Sequence, residues 1–388
     1  MATTDLLKGI GVLIDDAIND ENSGISNIVA QIETNNIPLL KYNSIPSPEI
    51  YSNFINLSFI VLDWEIIDDE LREMKSSGSG IKIPKGVIDD YENENIIFIK
   101  NISRICYCPI FIISDLKERV VERLMREKLY WDQNNRPNHI FIKSKNELRG
   151  KKRLFNKINK WIASNPSVYV LKKWENQYQK SKNKLFIDFQ NLSNIWPRVF
   201  WKTYEEDNVN KSLELGELIS RNLQNRMAPF EFEETILSKT RNKIDQEEIK
   251  RVLEGERFLK KGNLNKDVST GDLFTRGEKK GYYYLNIRAA CDLIPGRSKP
   301  GCDESISLYL IEGSSITHSQ ARKIFNKDYG MFSEIESHSI IFPFENKAIR
   351  FNFKNLVVMD WSKIKNDRVG RILPPYINKI QQKYAAYL

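Results

Sequence analysis

Four short apolar runs, each closed by a polar residue, constrain this 388-residue chain more than any other feature. Gly11-Val-Leu-Ile14 is followed by Asp15 and Asp16, and Leu57-Ser-Phe-Ile-Val-Leu62 by Asp63. Pro109-Ile-Phe-Ile-Ile113 is followed by Ser114, and His139-Ile-Phe-Ile142 by Lys143. Unbroken apolar runs of this length read as strands covered on both faces, which is the habit of parallel sheets. Between them lie amphipathic stretches. In Gly24 to Glu33, the residues Ile25, Ile28, Val29 and Ile32 fall on one helical face, and Leu116 to Lys128 repeats the pattern with Val120, Val121, Leu124 and Met125. Strands alternating with helices predict an α/β doubly wound sheet, with Ile37 to Tyr42 supplying a further short strand. The interval from Asp63 to Ser114 exceeds one helix. It reads as an insertion holding a Gly/Ser-rich loop, Lys75 to Pro84, and another strand-like run, Ile96-Ile-Phe-Ile99.

Side chains just past the C-terminal ends of such strands converge on one crevice. Asp15, Asp16, Asp63, Ser114 and Lys143 are therefore expected together. Magnesium needs only one or two carboxylates besides water and a phosphate oxygen, so the acids suit Mg²⁺. A carboxylate attacking phosphorus forms an acyl phosphate, which makes Asp63 the natural nucleophile. Lys143 and Ser114 would then neutralise and hydrogen-bond the phosphoryl oxygens.

With these residues the chain resembles, over roughly residues 8–150, the receiver domain of two-component response regulators. The resemblance assigns metal binding to Asp15, Asp16 and Asp63, phosphoacceptance to Asp63, the switch hydroxyl to Ser114 and phosphoryl binding to Lys143. Leu62-Asp63-Trp64 and the helical Pro166-to-Trp174 stretch look like the divergent response-receiver family of bacterial conflict and antiphage-defence loci. That family implies a histidine-kinase-like or heat-shock-chaperone-type ATPase as partner. Three departures bear on signal propagation. Ser144 follows Lys143 where ordinary receivers place a proline, Ile140 occupies the aromatic switch position, and the Asp63–Ser114 interval is enlarged.

The remainder divides by composition. Residues 1–150 form the receiver-like domain, 151–235 a helical connector and 236–388 a basic, strand-rich output or partner-binding domain. The connector opens with Arg149-Gly-Lys-Lys-Arg153 and carries Trp174, Trp196 and Trp201, read as core anchors. The last segment offers a charged helix, Lys243 to Lys261, then six strand-like runs suggesting a small barrel or rolled sheet, and a closing helix from Tyr376. Residues 1–100 hold 7 Lys/Arg against 17 Asp/Glu, a balance of −10 within a total of +8, so the rest carries +18. Arg276, Lys279, Lys280, Arg297 and Lys299, with Tyr282-Tyr-Tyr284, suit nucleic acid if the fold gathers them. Asp272 and Asp292 with Lys354 are candidates for a nuclease-like metal site, and Cys291 for a nucleophile.

Four cysteines and three histidines exclude a disulfide framework and a Cys/His metal site, and no apolar run reaches membrane-spanning length. The expectation is a reduced, cytoplasmic signalling protein, with a second copy of itself among the partners left open. An effector nuclease or RNA-acting toxin locked by a pseudo-receiver, and a non-catalytic scaffold, are the rival readings.

Overall fold

The computed structural model describes residues 3–21, 23–66, 85–131, 138–150, 153–227, 229–238, 245–277, 279–293, 306–317, 319–320, 332–335, 338–345 and 347–388. Two compact units result: residues 1–186 with 223–242, and residues 187–222 with 243–388. The Lys75–Pro84 loop, Lys243, Arg297 and Lys299 lie outside the described residues.

The first unit is built on a five-stranded sheet of β1 (Gly11–Ile14), β2 (Leu39–Tyr42), β3 (Phe59–Asp63), β4 (Ile110–Ile113) and β5 (Ile140–Lys143). All its pairings are parallel, in the order β2-β1-β3-β4-β5. This is the flavodoxin-like doubly wound order, with its switch point between β1 and β3. The unbroken apolar runs have their expected cause. On one face Ile60, Leu62, Ile110, Ile112 and Ile140 join one buried cluster, and on the other Phe59, Val61, Phe111, Ile113 and Phe141 join a second. Each such residue contributes roughly 1.5–3 kcal/mol by leaving water.

Helices cover both faces. Ile25, Ile28 and Ile32 of α1 (Gly24–Thr34) and Phe155, Ile158, Trp161 and Ile162 of α4 (Arg153–Ala163) pack on one. Ile96, Phe98, Ile99 and Ile102 of α2 (Lys85–Ile105) and Val120 and Leu124 of α3 (Lys117–Arg126) pack on the other. The run Ile96–Ile99, expected as a strand, is thus helical. Glu92, Asn95, Ile96, Ile99 and Ile102 are buried at helical spacing, whereas Ile97 is 55% exposed. Four apolar residues alone do not distinguish the two periods. Gly11 is required by close approach, because a Cβ there would sit 2.6 Å from the Phe59 ring and 2.9 Å from Leu39.

The segment after β5 is helical, as expected: α4 is followed by α5 (Pro166–Leu192), α6 (Trp196–Glu206) and α7 (Lys211–Arg226). Its tryptophans behave differently from the expectation. Trp161 is the core anchor, while Trp174 and Trp201 are 42% and 40% exposed. Trp174 stacks on Tyr178 at 5.0 Å, and Trp196 stacks on Phe189 at 4.8 Å.

The second unit holds an antiparallel eight-stranded sheet. Its strands are β6 (Phe258–Lys260), β7 (Asp272–Thr275), β8 (Tyr282–Asn286), β9 (Ser307–Ile316), β10 (Phe332–Ile335), β11 (His338–Phe344), β12 (Lys347–Asp360) and β13 (Arg368–Ile372). Their order is β10-β11-β12-β9-β8-β7-β13-β6. Among the described residues no pairing joins the two ends, so the sheet is open rather than a closed barrel. Two expected runs, Ala348–Phe353 and Leu356–Met359, are one strand: the polar break between them becomes a register shift between Asn352 and Leu356 against β9. The charged helix α8 (Gln246–Arg257) ends early, and its expected tail becomes β6. Helix α9 (Tyr376–Tyr387) buries Ile377, Ile380 and Tyr384 against Leu285, Ile311, Phe351 and Phe353. Among the described residues no helix is long and apolar enough to cross a membrane.

Candidate functional site

The C-terminal ends of β1 and β3, beside the switch point, place three carboxylates in one crevice. One oxygen each of Asp15, Asp16 and Asp63 lies within 4.8 Å of the others, and this is the one such group of three metal-ligating side chains among the described residues. Asp15 is fully buried and Asp63 nearly so, with Asp16 half-buried. Asp15 Oδ1 accepts a hydrogen bond from Ala17 N–H at 2.8 Å, and Asp63 Oδ1 accepts one from Glu65 N–H at 3.2 Å. These turn bonds leave the second oxygens facing the crevice.

The cation that meets them is Lys145. Its Nζ stands 2.7 Å from Asp63 Oδ2 and 3.1 Å from Asp15 Oδ2. The Asp15 contact is an ion pair only, since that buried oxygen accepts no directed hydrogen bond. Lys143, at the end of β5, instead pairs with Glu147 Oε1 at 3.1 Å and lies 6.0 Å from the centre of the Phe141 ring. A capping box explains the difference. Ser144 Oγ accepts from Glu147 N–H and Glu147 Oε2 accepts from Ser144 N–H, which starts the short helical turn Lys145–Leu148 directly after β5. Lys145 occupies the first position of that turn and reaches back over the strand ends. The Ser144-x-x-Glu147 spacing was readable in the sequence as a capping box, and with it the second lysine.

Ser114, 1% exposed, follows β4, and its Oγ accepts from Leu116 N–H at 3.0 Å at the start of α3. Its own N–H donates to Lys143 O at 3.0 Å. Next to the acceptor position, Trp64 is buried. Its indole N–H donates to Glu92 Oε1 of α2 at 3.3 Å, and that same carboxylate oxygen receives Arg119 Nε of α3 at 2.7 Å. Asn95 donates to Trp64 O at 2.8 Å. The sequence reading missed this Trp64–Glu92–Arg119 link because Glu92 and Arg119 lie in otherwise ordinary charged helices. Glu92→Gln removes the charge in a nearly dry position. The expected loss is about 1–3 kcal/mol in a urea unfolding series.

Burial is the main reason that the Asp15 carboxyl is pushed up, to about 7, with the Asp63 charge adding to it and Lys145 opposing. For Lys145, burial alone would lower the pKa, but Asp63 and Asp15 hold it above the ordinary lysine value. The Asp15 shift has a consequence for stability. Between the unfolded carboxylate range and about 7, the native state retains a proton that the unfolded chain has released. Without divalent cations, the chain is therefore expected to lose stability as pH rises through that window. Thermal melts in chelator at pH 5 and pH 8 test the sign, and a higher midpoint at pH 8 contradicts it.

The candidates in the second unit are not gathered in this way. Asp272 is fully buried and spent on structure: Oδ1 receives Arg371 Nε at 2.6 Å and Oδ2 receives Arg368 Nη1 at 3.2 Å. Cys291 is exposed in the turn Ala290–Leu293, with Sγ 3.5 Å from Asp292 Oδ1. Lys354 is exposed on β12. Of the tyrosine run, Tyr283 is buried, Tyr282 is 47% exposed, and Tyr284 lies under the Arg276 guanidinium, which also pairs with Glu312 at 2.9 Å.

Comparison of the chain with protein-family models, curated proteins and solved structures finds no match in any of the three.

Proposed function

We propose that the first unit is a receiver that accepts a phosphoryl group on Asp63 with a divalent cation, Mg²⁺ by preference, and that the chain transmits this event as a signalling protein. The observation that carries the reading is the crevice itself: three carboxylates at the switch point, one of them fully buried with an oxygen that accepts no hydrogen bond. That oxygen has only the Lys145 ion pair, at 3.1 Å, and three carboxylates around one lysine leave an excess of negative charge that a divalent cation would balance. Asp15, Asp16 and Asp63 would hold the ion, whose contribution is to neutralise the acids and polarise the phosphoryl oxygens.

The chain's own groups supply the rest. An Asp63 oxygen forms the bond to phosphorus as the donor's leaving group departs with its electron pair. The Lys145 ammonium, already on Asp63 and Asp15, balances the oxygens of the acyl phosphate. Ser114, at the end of β4, would turn its hydroxyl from the Leu116 N–H towards a phosphoryl oxygen. Such a turn releases the start of α3, and Arg119 on that helix shares Glu92 with Trp64. The link thereby offers a route for the switch that does not use the aromatic position, which here is Ile140.

With this reading goes the partner that the resemblance implies, a histidine-kinase-like or heat-shock-chaperone-type ATPase, and a place in bacterial defence signalling. The direct test is mass spectrometry of the chain after incubation with acetyl phosphate and Mg²⁺. One added phosphoryl group on the peptide containing Asp63, absent in chelator, supports the reading. An unmodified chain under conditions that label a known receiver counts against it.

A further inference from the structure

The second unit's sheet turns one face towards α9, and its other face carries two rows of groups that the phosphoryl site does not use. Directly paired residues share a face, as do alternate residues of one strand. Across β8, β9 and β12 the register sets Tyr282 beside Ser314 and Ser314 beside Arg350. The next row sets Tyr284 beside Glu312 and Glu312 beside Asn352. The intervening Tyr283, Ile311 and Phe351 point the other way, into the cluster that α9 covers. Tyr282 is 47% exposed, Arg350 and Asn352 are exposed, and Tyr284, Glu312 and Ser314 are half-buried. Farther along β9 the same face is closed, where Leu308 and Leu310 pack with Trp361 and Ile364.

We infer that these rows are a binding face for single-stranded nucleic acid, independent of the phosphoryl site. Charge selects a polyanion. Lys279 and Lys280 are exposed in the turn that leads into Tyr282, and Arg350 stands two strands away. Among the described residues none of these three cations forms an ion pair. Glu312, the one acid in the two rows, is already matched: its Oε1 lies 2.9 Å from Arg276 Nη1. That guanidinium in turn lies 5.5 Å from the centre of the Tyr284 ring. The charge left uncompensated on the face is therefore positive, which draws phosphates.

The exposed ring decides between polyanions. Of the three consecutive tyrosines, Tyr283 is covered by the core and Tyr284 by Arg276, while Tyr282 leaves nearly half its surface in water. A ring beside cations suits a stacked base, because every base offers a π-face and a phosphate follows it. In a duplex those faces are closed by the neighbouring base pairs, and an acidic peptide has none to offer. Tyr282 and Arg350 are separated by two strand spacings, roughly 10 Å. One short length of single strand thus reaches both, with a base on the ring and a phosphate on the guanidinium. Asn352, in the next row, presents a donor and an acceptor to a base edge.

The test is fluorescence anisotropy of a short labelled oligothymidylate with the full chain, over about 50 to 200 mM salt. The wild type is expected to bind, more weakly as salt rises. Tyr282→Ala should weaken binding at fixed salt by roughly fivefold to a hundredfold and leave the salt slope unchanged, while Tyr282→Phe should bind like the wild type. Arg350→Gln should make the slope of log affinity against log salt shallower by about 0.7, the share of one phosphate contact on a single strand. Thermal melts check that each variant folds, and the Arg350 slope tests the face even where loss of the Tyr282 ring disturbs β8. No binding at the lowest salt overturns the inference. So does binding indifferent to both Tyr282→Ala and Arg350→Gln, which places the contact elsewhere on the chain. Displacement by duplex of the same length, or by polyglutamate, as readily as by unlabelled oligothymidylate overturns it too, since neither competitor offers a free base.

Discussion

Asp63→Asn is expected to reduce phosphoryl labelling of the chain by acetyl phosphate and Mg²⁺ to background while leaving the fold intact. Asparagine keeps the shape of the side chain and can still accept the Glu65 N–H at Oδ1. What it removes is the carboxylate oxygen that would form the acyl phosphate, and no general base or neighbouring group can substitute for that atom. Loss of labelling by unfolding is not expected. In the wild type, Asp63 and Asp15 repel across the crevice, and this repulsion helps to hold Asp15 up at about 7. Removing one charge relieves the other, and Lys145 retains its contact with Asp15. Labelling by mass spectrometry, with a thermal melt of the same sample, separates the two effects. A variant that melts like the wild type and still takes up a phosphoryl group on another residue contradicts the assignment of Asp63.

Lys145→Met is expected to cost about 2–4 kcal/mol at pH 8, measured by urea unfolding in chelator, because it strips the counter-charge from two buried carboxylates. Breaking a buried pair from one side leaves the partner group uncompensated, which is worse than never having had the pair. The cost should shrink below pH 6, where Asp15 binds a proton and the crevice loses one charge. It should shrink as well on adding Mg²⁺, which replaces the missing cation. Lys143→Met is the control. Its contact with Glu147 lies on a partly exposed surface, with the two side chains 22% and 35% exposed, and its removal should cost under about 1 kcal/mol. Equal losses from the two variants, or a Lys145 loss indifferent to both pH and Mg²⁺, would show that Lys145 does not serve the acids.

The doubly wound half was legible because its information is local. Buried parallel strands leave continuous apolar runs, and the polar residue ending each run is fixed to the same edge of the sheet. Asp15, Asp63, Ser114 and Lys143 therefore stand at the strand ends as the runs imply. Which lysine reaches the acids was not legible from the run alone. It depends on the turn after β5, where the Ser144–Glu147 capping box lifts Lys145 into the crevice and leaves Lys143 to Glu147. The Ile96–Ile99 run misleads because four apolar residues fit both periods. Only Glu92 and Asn95, buried through their bonds to Trp64 and Arg119, complete the helical face. In the second unit, pairing is non-local. Short β6 and β13 carry too few apolar residues to announce themselves, yet they flank the sheet edge where Asp272 is held by Arg368 and Arg371. A carboxylate that stands out in sequence as chemistry is there a packing element.

The most direct test of an acceptor at Asp63 is isothermal calorimetry of beryllofluoride, a mimic of the bound phosphoryl group, into the full chain with Mg²⁺ present. The wild type is expected to bind one equivalent, only when Mg²⁺ is present, and Asp63→Asn to bind none. No heat in the wild type, or the same isotherm in both proteins, would contradict the account.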